Sequence, residues 1–157
     1  MYKNILVPYD GSEHAQHALE AAIDLGEGER SVKITVLNVT DLVDFDDSTF
    51  EIAARMAGVP PISDSTAKKA REHYFTEHKK SVQDHIQSFF ESLPENIEIQ
   101  IAVVGGHPQE AITQYANEGD FDCIVMGRRG LGALRGALGS VSFAVLRSVE
   151  LPVLVVK

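Results

Sequence analysis

The chain has 157 residues, a length that suits one domain with a continuous core and is too short for a multidomain assembly. Hydrophobic residues make up 44% and charged residues 24%, which excludes a disordered, a collagen-like and a disulfide-stapled chain. The 23 acidic and 14 basic side chains leave a formal charge of −9, a field that repels nucleic acid and anionic membrane wherever no basic patch interrupts it.

In chain order, NILVPY at 4–9 is a short apolar run that ends at the turn signal Asp10-Gly11-Ser12, as a buried strand does. Ala15, Ala18, Leu19, Ala22 and Leu25 then recur at helical spacing, with Ser12 as the expected N-cap and Gly26 as the expected terminator. Residues 32–39 read as a second strand, and 41–64 as an irregular insertion with a short helix around 51–56 and the breaker Val59-Pro60-Pro61. From 66 to 93, Ala67, Ala70, Tyr74, Val82, Ile86, Phe89 and Leu93 predict one long surface helix. A third strand is expected at 97–104. Pro108 opens the next helix, where its missing N–H costs nothing, and Ile112, Tyr115 and Ala116 form its inner face.

Cys123-Ile124-Val125-Met126 is a wholly apolar fourth strand, a helix at 140–148 follows, and 152–156 makes a last strand. Five short strands alternating with four helices predict an α/β domain with a mainly parallel sheet covered on both faces. In such sheets ligands lie beyond the carboxyl ends of the strands, where the winding reverses. The lone cysteine and an N-terminus without a signal-peptide pattern lead us to expect a reducing, cytoplasmic setting. No apolar run approaches the ~18 residues of a membrane span, so membrane insertion is not expected.

Gly127, Gly130, Gly132, Gly136 and Gly139 crowd one segment between the fourth strand and the last helix. Glycines allow close approach to backbone amides, and the helix starting at Ser140 offers free N–H groups and a positive dipole end, so the segment reads as an anion cradle. Arg128, Arg129, Arg135 and Arg147 fall in the same stretch with no acid, a local positive patch suited to phosphate. Neither the P-loop nor the dinucleotide fingerprint is matched: no lysine precedes the loop serine, and Arg135 stands where the third glycine belongs.

NILVPYDGS, VLNV, GGHPQEAI, DCIVMGRRG, LGSVS and LPVLVV together resemble the universal stress protein family over nearly the whole chain. The resemblance implies a three-layer, doubly wound, five-stranded parallel sheet in the order 3-2-1-4-5, residues 1–157 forming one domain. It also implies binding of ATP or a related adenine nucleotide as a signalling module, with magnesium as the nucleotide's counter-ion and slow hydrolysis at most. Carried over residue by residue, Pro8 and Asp10 line the adenosine site and the Val39 backbone meets the adenine edge. Gly127 and Gly130 pack against the ribose and first phosphate, Gly139, Ser140, Val141 and Ser142 hold the outer phosphates, and Met126 and Arg128 are implied as further nucleotide-binding residues. Eight residues separate Gly130 from Gly139 where the family's G-x2-G-x9-G-[ST] pattern has nine, so the adenosine end is the better matched. The resemblance further implies a homodimer through the C-terminal strand. The alternative expectation is an interaction protein of this fold that dimerises and binds partners without nucleotide.

Other groups carry weaker signals. Cys123 reads as core packing, and His14, His17, His73, His78, His85 and His107 lack the spacing of a metal site. Asp41, Asp44, Asp46 and Asp47 lack the glycine and distal glutamate of a calcium loop, and no catalytic triad can be assembled around Ser140 or Ser142.

Overall fold

The structure, a computed structural model, describes residues 2–40, 56, 64–131 and 138–157. The elements run β1 (Asn4–Pro8), α1 (Glu13–Gly26), β2 (Val32–Thr40), α2 (Asp64–His85), α3 (Gln87–Glu91), β3 (Ile97–Gly105), α4 (Pro108–Glu118), β4 (Cys123–Gly127), α5 (Ser140–Ser148) and β5 (Val153–Val156). All five strands are parallel, in the order β3-β2-β1-β4-β5, which is the expected arrangement.

β1 lies at the centre because it is apolar on both faces. Ile5 and Val7 point into one core with α1, Val82 and Ile86, while Leu6 points into the other with Ile112, Ala116 and Val145. That alternation, with helices covering each side, makes three layers. β1 pairs with β2 from Asn4↔Lys33 to Pro8↔Leu37 and with β4 at Ile5↔Cys123 and Leu6↔Ile124. Pro8 is tolerated as the last residue of a central strand, where no further ladder donor is required; the next amide, Tyr9 N, donates to Leu37 O at 2.8 Å. The chain winds from β1 outward to β3 and then crosses back to β4. The carboxyl ends of β1 and β4 are therefore adjacent while the loops leaving them diverge, which opens a crevice at that edge.

Ser12 caps α1 as expected, its hydroxyl accepting from Ala15 N at 3.2 Å. Gly26 does not terminate that helix in the left-handed conformation. It is the last helical residue, followed by Glu27 in right-handed geometry (φ −58°, ψ −33°). Its small size serves packing, since a Cβ there would stand 3.1 Å from Ile97 Cδ1 and 3.3 Å from Val32 Cγ1.

The long helix expected at 66–93 is two helices, broken at Ile86 (φ −103°, ψ 11°). An unbroken helix of that span would be roughly 42 Å long, against about 30 Å for a nine-residue strand beneath it. The bend at fully buried Ile86 keeps Phe89, Phe90 and Leu93 on the core. The insertion expected at 41–64, its short helix and the aspartates weighed for calcium lie outside the described residues, apart from Met56 and Asp64, the residue that begins α2. Among the described residues no helix is long and apolar enough to cross a membrane.

Candidate functional site

The crevice edge is built by two loops and the start of α5. After β1 the chain turns through Gly11 at φ 81°, a left-handed conformation that favours glycine. The turn is held by Asp10, whose Oδ1 accepts from Ser12 N at 3.0 Å. The other carboxylate oxygen reaches across the crevice and accepts from Leu131 N at 3.0 Å. Asp10 thus lines the crevice and ties the β1 loop to the glycine-rich loop.

The glycine-rich loop leaves β4 at Gly127. Arg128 N donates to Val156 O at 2.7 Å, Gly139 N returns to Arg128 O at 2.9 Å, and the buried Ser142 hydroxyl donates to Gly127 O at 2.9 Å. Two of the motif glycines have internal reasons for lacking a side chain. A Cβ on Gly127 would stand 2.6 Å from His14 O in the first turn of α1, and one on Gly130 would collide with Asp10 Oδ2. The close neighbour is the α1 backbone at Gly127 and the Asp10 carboxylate at Gly130. Gly132, Arg135 and Gly136 lie outside the described residues.

α5 begins behind this loop with Gly139 as an N-cap that supplies no side-chain hydrogen bond. The first intrahelical bond is donated by Phe143 N to Gly139 O, so the amides of Ser140, Val141 and Ser142 precede it and face the helix's positive end.

Together these segments enclose a cleft of about 470 Å³, within the ~300–1,000 Å³ range of small-molecule sites. Pro8, Leu37, Val39, Ile112, Met126 and Val141 supply apolar walls; Gly127, Arg129, Gly130, Gly139, Ser140 and Ser142 supply the polar end. Among the lining residues the carboxylate is Asp10, with both oxygens engaged by amides. Tyr9 also lines the cleft, and burial pushes its phenol pKa up.

A family model for the universal stress protein family matches residues 1–157. The chain belongs to the universal stress protein family. Universal stress protein Sll1388 of Synechocystis is 34% identical over 158 residues, covering 99% of this chain and 98% of that one. Universal stress protein MJ0577 of Methanocaldococcus jannaschii is 30% identical over 162 residues, covering 100% and 96%. The solved MJ0577 structure superposes with a TM-score of 0.73 at 27% identity, over 100% of this chain and 96% of that one. A universal stress protein from Archaeoglobus fulgidus in complex with dAMP shares the fold, with a TM-score of 0.53 at 21% identity over 99% and 98% of the two chains.

In this universal stress protein the sequence-derived residues Pro8, Asp10, Val39, Met126, Gly127, Gly130, Gly139, Ser140, Val141 and Ser142 all line the one cleft. Arg128 does not. Its backbone N–H donates to Val156 O and its carbonyl accepts from Gly139 N, its Nε is buried, and the adjacent Arg129 lines the cleft. Consecutive residues leaving a strand point to opposite sides, and charge counting alone does not distinguish them. Arg147 is also no part of the cleft: it sits in the last turn of α5, its guanidinium 5.5 Å from the Phe143 ring centroid. Sequence reasoning missed Tyr9, Ala15, Leu37, Pro108, Ile112 and Leu131, and had Arg129 only as one member of the positive patch. Leu37 was findable, because it is two residues before Val39 and shares its face of β2. Pro108 and Ile112 enter because α4 starts at the carboxyl edge of β3, as every helix of a parallel sheet does.

Cys123 is buried, and desolvation pushes its thiol pKa up to about 11, with the Asp122 charge adding to the rise. It is a packing residue, as expected. Among the described residues no three His, Cys, Asp or Glu side chains stand together as metal ligands.

Proposed function

We propose that this universal stress protein binds an adenine nucleotide in the β1/β4 cleft and acts as a binding and signalling module. The observation that carries this reading is the composition of one cleft: an apolar slot between β2, α4 and β4, continuous with free α5 amides and Arg129. A planar base suits the slot, and a phosphate suits the amides and the guanidinium. The dAMP complex of the Archaeoglobus protein shows that this fold has been found with an adenine nucleotide; the reading for this chain rests on its own cleft. Any magnesium is expected to be held by the nucleotide's phosphates as their counter-ion. The setting is expected to be cytoplasmic, with hydrolysis slow at most.

Ser140 tests the location. It is exposed and lines the cleft, so Ser140→Trp fills the site without entering the core. Denaturing the purified protein and identifying the released small molecules by chromatography and mass is expected to recover an adenine nucleotide from the parent protein. The Ser140→Trp variant is expected to carry none. Equal recovery from both places the nucleotide elsewhere.

A second reading is favoured by one feature. β5 is an edge strand whose outer side is unpaired among the described residues, and its Leu154 is 43% exposed. Such an edge suits pairing with a second copy of this chain, and dimerisation with partner binding is then the function if nucleotide is absent.

A further inference from the structure

We infer that Asp10 is a positioning residue: its carboxylate latches the glycine-rich loop onto the β1 turn, and Gly130 is glycine to admit that latch. The inference rests on the nucleotide reading only where affinity is concerned; the latch itself belongs to the ligand-free protein.

Two observations carry it. Asp10 Oδ1 accepts from Ser12 N and Oδ2 from Leu131 N, both at 3.0 Å, across 121 positions of sequence in the second case. One carboxylate therefore serves donors on two segments that no strand pairing joins at this point. Asparagine has a single acceptor oxygen and turns an NH₂ toward the other donor, so it can satisfy only one of them. The second observation is steric. Gly130 does not have a positive φ, so an L side chain meets no backbone strain there; what a Cβ meets is Asp10 Oδ2, the oxygen that holds Leu131. Glycine at 130 thus lets Asp10 Oδ2 sit where it holds Leu131. Holding Gly130 and Leu131 against the β1 turn fixes one wall of the cleft before any ligand arrives, and such preorganisation lowers the ordering cost of binding.

The test is a double-mutant cycle on the full chain, read first without ligand. In amide proton–nitrogen correlation spectra, Asp10→Ala is expected to move the Leu131 amide proton upfield, as loss of a carboxylate acceptor requires. In the Gly130→Ala background the same substitution is expected to leave Leu131 where it was, because the Cβ has already displaced the carboxylate. Preserved dispersion of core amides such as Ile124 shows that the variants are folded. In ATP titrations each single variant is expected to bind about tenfold more weakly, the size of one lost charge-assisted hydrogen bond, and the double variant no more weakly than Asp10→Ala. An unmoved Leu131 amide in Asp10→Ala, additive losses in the double variant, or tighter binding once the carboxylate is gone would each overturn the inference. Should the parent protein bind no nucleotide, the proposed function fails while the Leu131 cycle still decides the latch.

Discussion

At the residue scale, single carboxylates do much of the joining. Asp122, just before β4, accepts from Lys3 N at 2.6 Å and Asn4 N at 2.8 Å through one oxygen, fastening the start of β1 to its neighbour. Those two amides hold its carboxyl below the usual carboxylate range. The native fold therefore binds this proton less readily than the unfolded chain does. The stabilisation is complete above the ordinary carboxylate pKa and is lost as pH falls through the depressed native value. Asp122→Ala is expected to cost about 1 kcal/mol at neutral pH, discounted for solvent exposure. Urea midpoints compared across pH should show that gap narrowing in acid, and a gap constant down to about pH 2 would contradict it. Neither Asp122 nor the latch of Asp10 was legible in the sequence, because each bond spans more than 100 positions and an aspartate before a strand or turn reads only as a local residue. The motif glycines were legible as a cluster, but their cause was not: His14 and Asp10, which crowd Gly127 and Gly130, lie far upstream.

At the scale of elements, periodicity recovered what packing enforces. Strands with two covered faces and helices with one apolar stripe were found within a residue or two, since burial leaves so direct a trace. Failures came where a global length decides. The 66–93 pattern continues in phase through Ile86, so nothing local announced the break; the finite depth of the sheet imposes it. The β5 edge is the element with an untested consequence. Its inner side is paired from Ile124↔Val153 to Gly127↔Val156, and Leu154 is left exposed beside the open ladder. Sedimentation at micromolar concentration is expected to give a dimer for the parent chain and a monomer for Leu154→Glu, a charge placed on the pairing strand. A monomeric parent chain would contradict pairing along β5.

At the scale of the whole molecule, the strand order does the decisive work. Reversal of the winding between β1 and β4 brings the β1 turn, the β2 end, the α4 start and the glycine-rich loop to one edge, so residues from 8 to 142 line a single cleft. The cleft's place was legible once the alternation of strands and helices was read. Which arginine enters it was not, since that depends on the side toward which each residue leaves β4. An acidic molecule of formal charge −9 thus presents Arg129 and the α5 amides at this concave edge, a local exception to its overall field. The proposed function places an adenine nucleotide at this edge. Calorimetric titration of nucleotide-stripped protein with adenosine, AMP and ATP, with and without magnesium, tests it most directly. Saturable one-to-one binding that strengthens from adenosine to its phosphates and weakens in Ser140→Trp is expected; no heat of binding with any of the three, from a folded protein, would rule out an adenine-nucleotide site here.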